Sequence, residues 1–164
     1  ELAGQKYSAA AVGEVNVVSE MKRVKAVIGG EGNGGIIVPD FHYGRDALIG
    51  IGLFLSHLAK SGLTASALRK TYPAYHISKN KIELTGDINV DEVLEQIKDK
   101  HKNEKVNTTD GVKIDFEEQK EWVHLRKSNT EPIIRIYAES QNEKKADALA
   151  ERMIADIKEL INKN

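Results

Sequence analysis

The chain has no cysteine among its 164 residues. That excludes disulfides and thiolate metal sites and fits a reducing compartment. It has no excess of either charge, with 24 Lys and Arg against 25 Asp and Glu, so no field is present that would gather nucleic acid. Its five histidines show no short ligand spacing such as His-x-x-x-His, which argues against a metal site. Asp110, Asp115, Glu117 and Glu118 are not spaced for paired acid–base work and read as surface residues. Glu1-Leu2-Ala3-Gly4-Gln5 has none of the character of a cationic apolar leader. The most apolar stretch, Asp46 to Lys60, is broken by Ser56 and His57 and falls short of the roughly 20 residues a bilayer demands. What remains is 40% hydrophobic, enough for a packed core rather than disorder.

The richest chemistry lies between Arg126 and Arg135, in Arg-Lys-Ser-Asn-Thr-Glu-Pro-Ile-Ile-Arg. Val123 and Leu125 alternate with polar neighbours before it, and Ile134 and Ile136 do so after it. Two strands joined by a loop of residues 127–132 would place Arg126 opposite Ile133 and His124 opposite Arg135. Val123, Leu125, Ile134 and Ile136 then share a buried face, and both arginines lie on the other. Guanidinium forks, the hydroxyls of Ser128 and Thr130, the Asn129 amide and backbone N–H groups converge there. Such a set suits a dianionic phosphate, because charge-assisted and bidentate hydrogen bonds are the strong ones. On chemistry alone, a polar hairpin turn with solvated arginines fits as well. His124 would either touch the anion or, preferably, act as a sheet-surface spacer. Lys127 points the other way and reads as solvated.

A second unusual stretch is Gly29-Gly30-Glu31-Gly32-Asn33-Gly34-Gly35, following the apolar Ala26-Val27-Ile28. Five glycines among seven residues mean a backbone that turns tightly or lets something approach closely. No Gly-Lys-Ser/Thr follows, and no Gly-x-Gly-x-x-Gly opens a helix, so neither nucleotide-loop signature applies. Taken alone, such a segment is more often a plain turn than a site.

Both segments resemble loops of the α-D-phosphohexomutases. The phosphate loop of that family is written Arg-x-Ser-Gly/Asn-Thr-Glu-Pro followed by an Arg, matched here by Arg126, Ser128, Asn129, Thr130, Glu131, Pro132 and Arg135. The sugar-recognition loop is commonly Gly-Glu-x-Ser-Gly-His. Glu31 aligns with its sugar-binding Glu, while Asn33 replaces the Ser and Gly35 replaces the His. The resemblance implies a phosphate site of Arg126, Ser128, Asn129, Thr130 and Arg135, and a sugar site of Glu31, Asn33 and Gly34. It implies an isomerase that moves a phosphoryl group between the 1- and 6-oxygens of a hexose through a bisphosphate. The family's phosphorylated serine and Asp-x-Asp-x-Asp metal loop are absent here. The chain is therefore expected to be an inactive C-terminal fragment whose catalytic Mg²⁺ is bound elsewhere. The expected partners are a hexose phosphate and the missing N-terminal domains, with neither nucleic acid nor membrane, in the cytoplasm. A stand-alone phosphate- or sugar-binding module is the alternative. Glucosamine phosphate is favoured as substrate, because an amide oxygen and extra room beside Glu31 would tolerate an ammonium. Glucose and mannose phosphates come next.

The expected fold is α+β. Residues 1–76 would be the end of a mixed α/β third domain. Residues 77–164 would be a TATA-binding-protein-like fourth domain, an antiparallel sheet with two helices on one face. Periodicity predicts a strand at Tyr7–Ala11, a helix at Glu14–Val24, and strands at 25–29 and 36–38. A buried helix over Asp46–Lys60 ends at Gly62, and a short one follows over Thr64–Thr71. Asp46 reads as a first-turn acid, and Arg45 as facing the glycine loop. Residues 72–84 read as an extended junction. A helix capped by Asn89 leads to a polar stretch at 101–107 that reads as a solvated helix end. Strands at 112–116 and from Trp122 precede the hairpin loop, and a helix over Glu143–Ile161 closes the chain.

Overall fold

A computed structural model of the protein describes residue 4 and residues 6–84, 88–128 and 130–163. The chain folds as two compact units, Glu1–Tyr72 and Pro73–Asn164.

In the first unit, α1 (Glu14–Val24), β1 (Gly29–Gly30), β2 (Ile36–Ile37), α2 (Ala47–Ser61) and α3 (Ala65–Lys70) follow in order. α1 and α3 agree with the periodicity, but the early strands are shorter than expected. Residues 7–11 form no strand, and Tyr7 is exposed. Residues 25–28 are used to end α1: Lys25 takes a left-handed conformation, and both its N–H and that of Ala26 return to the Met21 carbonyl. Only Gly29 and Gly30 are left to pair, opposite Ile37 and Ile36. Met21, the one buried residue of α1, packs against Gly29, where a Cβ would lie 2.2 Å from its sulfur. Val38 makes just a single bridge to His42 before the Pro39 turn.

Asp46 caps α2 from outside rather than lying in its first turn. Its carboxylate accepts from the N–H groups of Leu48 (2.9 Å) and Ile49 (3.0 Å), and Gly62 at φ 64° terminates the helix. The expectation that α2 is buried is overturned. Leu48, Ile51, Leu53, Phe54 and Leu55 are all exposed, and no residue of the helix is fully buried. The two-stranded β1–β2 ribbon is too small to cover a helix that is apolar on nearly every side.

The second unit begins with β3 (His76–Glu83), which turns the expected junction into a sheet strand. Then come α4 (Val90–Lys100), β4 (Lys105–Asn107), β5 (Val112–Phe116), β6 (Glu121–Lys127), β7 (Ile133–Ser140) and α5 (Glu143–Lys163). The five strands form one antiparallel sheet in the order β3-β7-β6-β5-β4. α4 and α5 lie on one face. Val93, Leu94 and Ile97 of α4, with Leu149, Ala150, Met153 and Ile157 of α5, meet Ile114, Val123, Leu125, Ile134 and Ile136 of the strands. Most of these side chains are fully buried, and each Val, Leu, Ile or Met among them contributes about 1.5–3 kcal/mol of transfer free energy. Asn89 caps α4, accepting from Glu92 N–H, and Asn142 does the same for α5 through Lys145 N–H. Gly111 (φ 72°) turns the chain into β5, and Lys120 (φ 55°) turns it from β5 into β6.

β4 was not expected. It is an edge strand of three residues with exposed lysine and asparagine ends, so it carries no alternating apolar signal. The stretch before it is not simply solvated either. The ring of His101 meets Phe116 edge-on at 5.9 Å, and its buried Nε2 has no hydrogen-bond partner among the described residues. Asp156 Oδ2 stands 3.8 Å away, close enough for attraction but too far for a hydrogen bond. Burial outweighs that carboxylate and pushes the His101 pKa below the ordinary histidine value, with Arg152 and Lys100 adding to the depression.

A depressed pKa in the folded state means the unfolded chain binds more protons. The stabilisation is present above the unfolded value of about 6.5 and is lost as pH falls through the folded pKa. The melting temperature of the second unit should therefore fall on acidification below about pH 6.5. His101→Leu should flatten that dependence, and an unchanged pH slope in the variant would remove His101 as its source.

Candidate functional site

β6 and β7 pair with Arg126 directly opposite Arg135, His124 opposite Tyr137, and Lys127 opposite Ile134. The register expected from the sequence is therefore two residues out. A shift of two leaves every side chain on its expected face, because the period of a strand is two. Val123, Leu125, Ile134 and Ile136 are fully buried, and both arginines lie on the opposite face. The loop is tighter than 127–132, since Lys127 belongs to β6 and Ser128 N–H reaches the Ile133 carbonyl (3.1 Å). Leu84, just after β3, donates to the Pro132 carbonyl (2.9 Å) and anchors the loop to the sheet edge.

Ser128 is buried, and its hydroxyl accepts from Thr130 N–H (3.4 Å) while lying 3.5 Å from the Thr130 hydroxyl. Asn129 lies outside the described residues. Two like charges directly opposite each other across a strand pair repel. The protein offsets them with carboxylates at the margins. Asp110 Oδ1 stands 3.3 Å from Arg126 Nε, and Glu131 Oε2 stands 3.9 Å from an Arg135 terminal nitrogen. Asp110 thus has a task that the sequence did not reveal; the signal available was its place in the turn beside β6. His124 does not adjoin Arg135 and instead contacts the Asp110 carbonyl through Nε2. Lys127 is not merely solvated, since it pairs with Asp91 at 3.0 Å on the exposed side.

In the first unit, the glycine segment is the turn of the β1–β2 ribbon. Glu31 N–H donates to the Gly35 carbonyl (3.1 Å), and Gly34 N–H to the Glu31 carbonyl (3.1 Å). Asn33 closes the turn with its side chain, Oδ1 accepting from Gly35 N–H (3.0 Å). A Cβ on Gly30 would lie 2.2 Å from the Gly35 carbonyl oxygen, so this glycine permits the close crossing of the two chains. Glu31 is not short of neighbours. Its Oε1 accepts from Gly13 N–H (3.2 Å) at the start of α1, where a carboxylate is favoured. Arg45 does face the loop: a Cβ on Gly35 would come within 2.7 Å of the Arg45 Cδ. Glu14 grips Arg45 at Nε (2.8 Å). An open depression of about 700 Å³ is lined by Asn33, Gly34, Gly35, Gly44, Arg45 and Glu14 among others, and Glu31 is not part of its wall. His42 Nε2 lies 3.1 Å from Asp46 Oδ2. The Asp46 carboxyl is held below its usual range, first by the Ile49 N–H and then by this imidazole.

Among the described residues, no three His, Asp or Glu side chains gather as a metal site would require. None of their helices is long and apolar enough to cross a membrane.

Comparison with known proteins gives the fold a family. Residues 1–75 match the model for phosphoglucomutase/phosphomannomutase, alpha/beta/alpha domain III. Residues 81–156 match the model for the C-terminal domain of the same proteins. The chain belongs to the phosphoglucomutase/phosphomannomutase family, the phosphohexomutases. A phosphoglucomutase/phosphomannomutase of Thermococcus kodakarensis is 39% identical over 148 residues, covering 87% of this chain and 31% of that protein. A phosphoglucosamine/phosphogalactosamine mutase of Sulfurisphaera tokodaii is 35% identical with the same coverage. The crystal structure of a putative phosphomannomutase from Thermus thermophilus superposes with a TM-score of 0.59 at 26% identity, over 92% of this chain and 30% of that one. A family protein from Burkholderia thailandensis shares the fold at a TM-score of 0.69 and 22% identity, over 90% of this chain and 31% of that one. The chain thus spans about a third of the length of the curated relatives it matches.

Gly30→Ala should open the glycine turn, because its Cβ meets backbone rather than a movable side chain. The cost should be about 1–3 kcal/mol, with faster amide exchange at Gly35. Asn33→Ala should accelerate exchange at the same amide with a smaller loss of stability. Unchanged protection in both would show that neither residue holds the turn.

Proposed function

We propose that this chain is the substrate-binding portion of a phosphohexomutase that interconverts hexose 1- and 6-phosphates through a bisphosphate intermediate. The observation that carries the reading is the direct opposition of Arg126 and Arg135 beside the buried Ser128. An incoming phosphate dianion relieves the repulsion between the guanidiniums and takes up their N–H donors. Ser128, Asn129 and Thr130 complete the site with hydroxyl, amide and backbone donors. The loop thereby fixes the phosphate that is not reacting, and rate comes from positioning.

Glu31, Asn33 and Gly34 belong to the sugar side of the reading. Glu31 keeps the α1 start in place through Gly13 and offers its carboxylate to ring hydroxyls. The phosphorylated serine and the divalent cation that the family implies belong, in this reading, to the rest of a full-length protein, and no step here is routed through them. Their ligands are assigned to segments outside this chain, which on its own lacks mutase activity. Cytoplasmic residence belongs to the same reading, consistent with the absence of cysteine.

Glucosamine phosphate is the favoured substrate in this reading, with glucose and mannose phosphates next. Asn33 Oδ1 accepts from Gly35 N–H and keeps a second lone pair for an ammonium, and Asn33, Gly34 and Gly35 line the open depression.

In the full-length protein, Arg126→Ala or Arg135→Ala should weaken hexose-phosphate binding by about 1.5–3 kcal/mol, the value of one charge-assisted contact. Wild-type kinetic constants in both variants would refute the phosphate site. Glu31→Ala should depress turnover of glucose, mannose and glucosamine 1-phosphates together; an unaffected variant makes the glycine segment only a turn. Comparing kcat/KM for the three sugars orders the substrates. Processing of glucose or mannose 1-phosphate at least as well as glucosamine 1-phosphate would reverse that order.

A further inference from the structure

We propose that the phosphate site extends onto β3, with Lys81 as its third cation; the inference rests on the function proposed above. The sheet register places Lys81 directly opposite Arg135, which is itself opposite Arg126. Paired residues of an antiparallel sheet share a face. Ile82 and Ile134, next in register, are both buried on the helix side, so Lys81, Arg135 and Arg126 stand abreast on the other face. The same edge of β3 is tied to the loop itself, through Leu84 N–H on the Pro132 carbonyl.

This row differs from the next one along the sheet. There Lys79, Tyr137, His124 and Lys113 lie abreast, with two rings between the lysines. Lys79 lies over Tyr137, while Lys113 lies over Trp122 and pairs with Asp115. In the loop row nothing separates the cations, an arrangement that is unfavourable unless an anion lies over it. Carboxylates stand beside each cation of the row. Lys81–Glu83, Arg126–Asp110 and Arg135–Glu131 measure 3.2, 3.3 and 3.9 Å. Lysine pairs elsewhere in the unit include Lys100–Asp156 at 2.7 Å and Lys127–Asp91 at 3.0 Å. Lys81 and Glu83 are both more than half exposed, so their pairing is weak and exchangeable. A compact ammonium on a flexible stem supplies charge without demanding the planar geometry of the two guanidiniums. Lys81 therefore closes the open side of the clamp and tolerates either orientation of the ligand.

The test uses the full-length protein and calorimetric binding of glucose 1-phosphate and of inorganic phosphate. Lys81→Gln, Lys81→Arg, Glu83→Gln and Arg135→Ala are compared with the parent at two salt concentrations. Lys81→Gln should raise the dissociation constant for both probes by about three- to tenfold, with a shallower salt dependence. Lys81→Arg should restore most of the affinity, and Glu83→Gln should leave it unchanged or tighter. If Arg135→Ala weakens binding and Lys81→Gln does not, Lys81 lies outside the site and the function stands. If Lys81→Gln and Glu83→Gln weaken it equally, Lys81 acts only through its ion pair and the proposal is overturned. If neither Arg135→Ala nor Lys81→Gln matters, the phosphate site itself is wrong. Should Lys81→Gln lower the melting temperature, Lys81→Met compared with Lys81→Arg still separates charge from packing.

Discussion

The pairing of β6 with β7 decides most of what the second unit can do. Its two-residue period sends Val123, Leu125, Ile134 and Ile136 under the helices and Arg126 and Arg135 to the other side. A slip of one residue by either strand would exchange that strand's faces, burying its guanidinium and exposing its two aliphatic side chains. Core packing therefore holds in place two cations that would otherwise move apart. Burial of the apolar face is what sustains the local repulsion on the polar one.

The first unit reaches its loop by other means. It has little buried apolar surface, and polar ties organise the glycine turn instead. The start of α1 reaches the loop region through Gly13 N–H on Glu31 and through Glu14 on Arg45. Asn33 closes the turn from within, and Gly30 lets the two chains cross. One unit thus presents rigid donors on a sheet, while the other presents a turn held by a few half-exposed carboxylates. Stability there should respond to single polar substitutions more than to the loss of a methyl group.

Helices and the hairpin were legible because their signals are periodic and local. α1, α3, α4 and α5 follow the apolar spacing, and Asn89, Gly62 and Gly111 mark the ends that turn chemistry assigns them. The loop residues Arg126, Ser128, Thr130 and Arg135 were legible as a group, since they fall within ten positions of one another. Pairing partners were not. The register of β6 and β7 depends on how the loop closes, and a two-residue error leaves the face pattern unaltered. β4 escaped because an edge strand of polar residues has no alternation to detect, and 25–28 misled because helix capping overrode the strand propensity of Val27 and Ile28. The burial of α2 was misjudged for a different reason. An apolar sequence states what a helix needs, and the surface that meets the need must come from elsewhere.

That helix has a practical corollary for handling the protein. Leu48, Ile51, Phe54 and Leu55 give the first unit a greasy exterior that the second, with its aliphatic residues packed away, does not share. Colloidal behaviour in dilute buffer will be governed by one half of the molecule. Fluorescent dyes that seek apolar surface, mild detergents and column matrices will all find residues 47–61 first, and self-association of the 164-residue chain will rise with concentration and ionic strength.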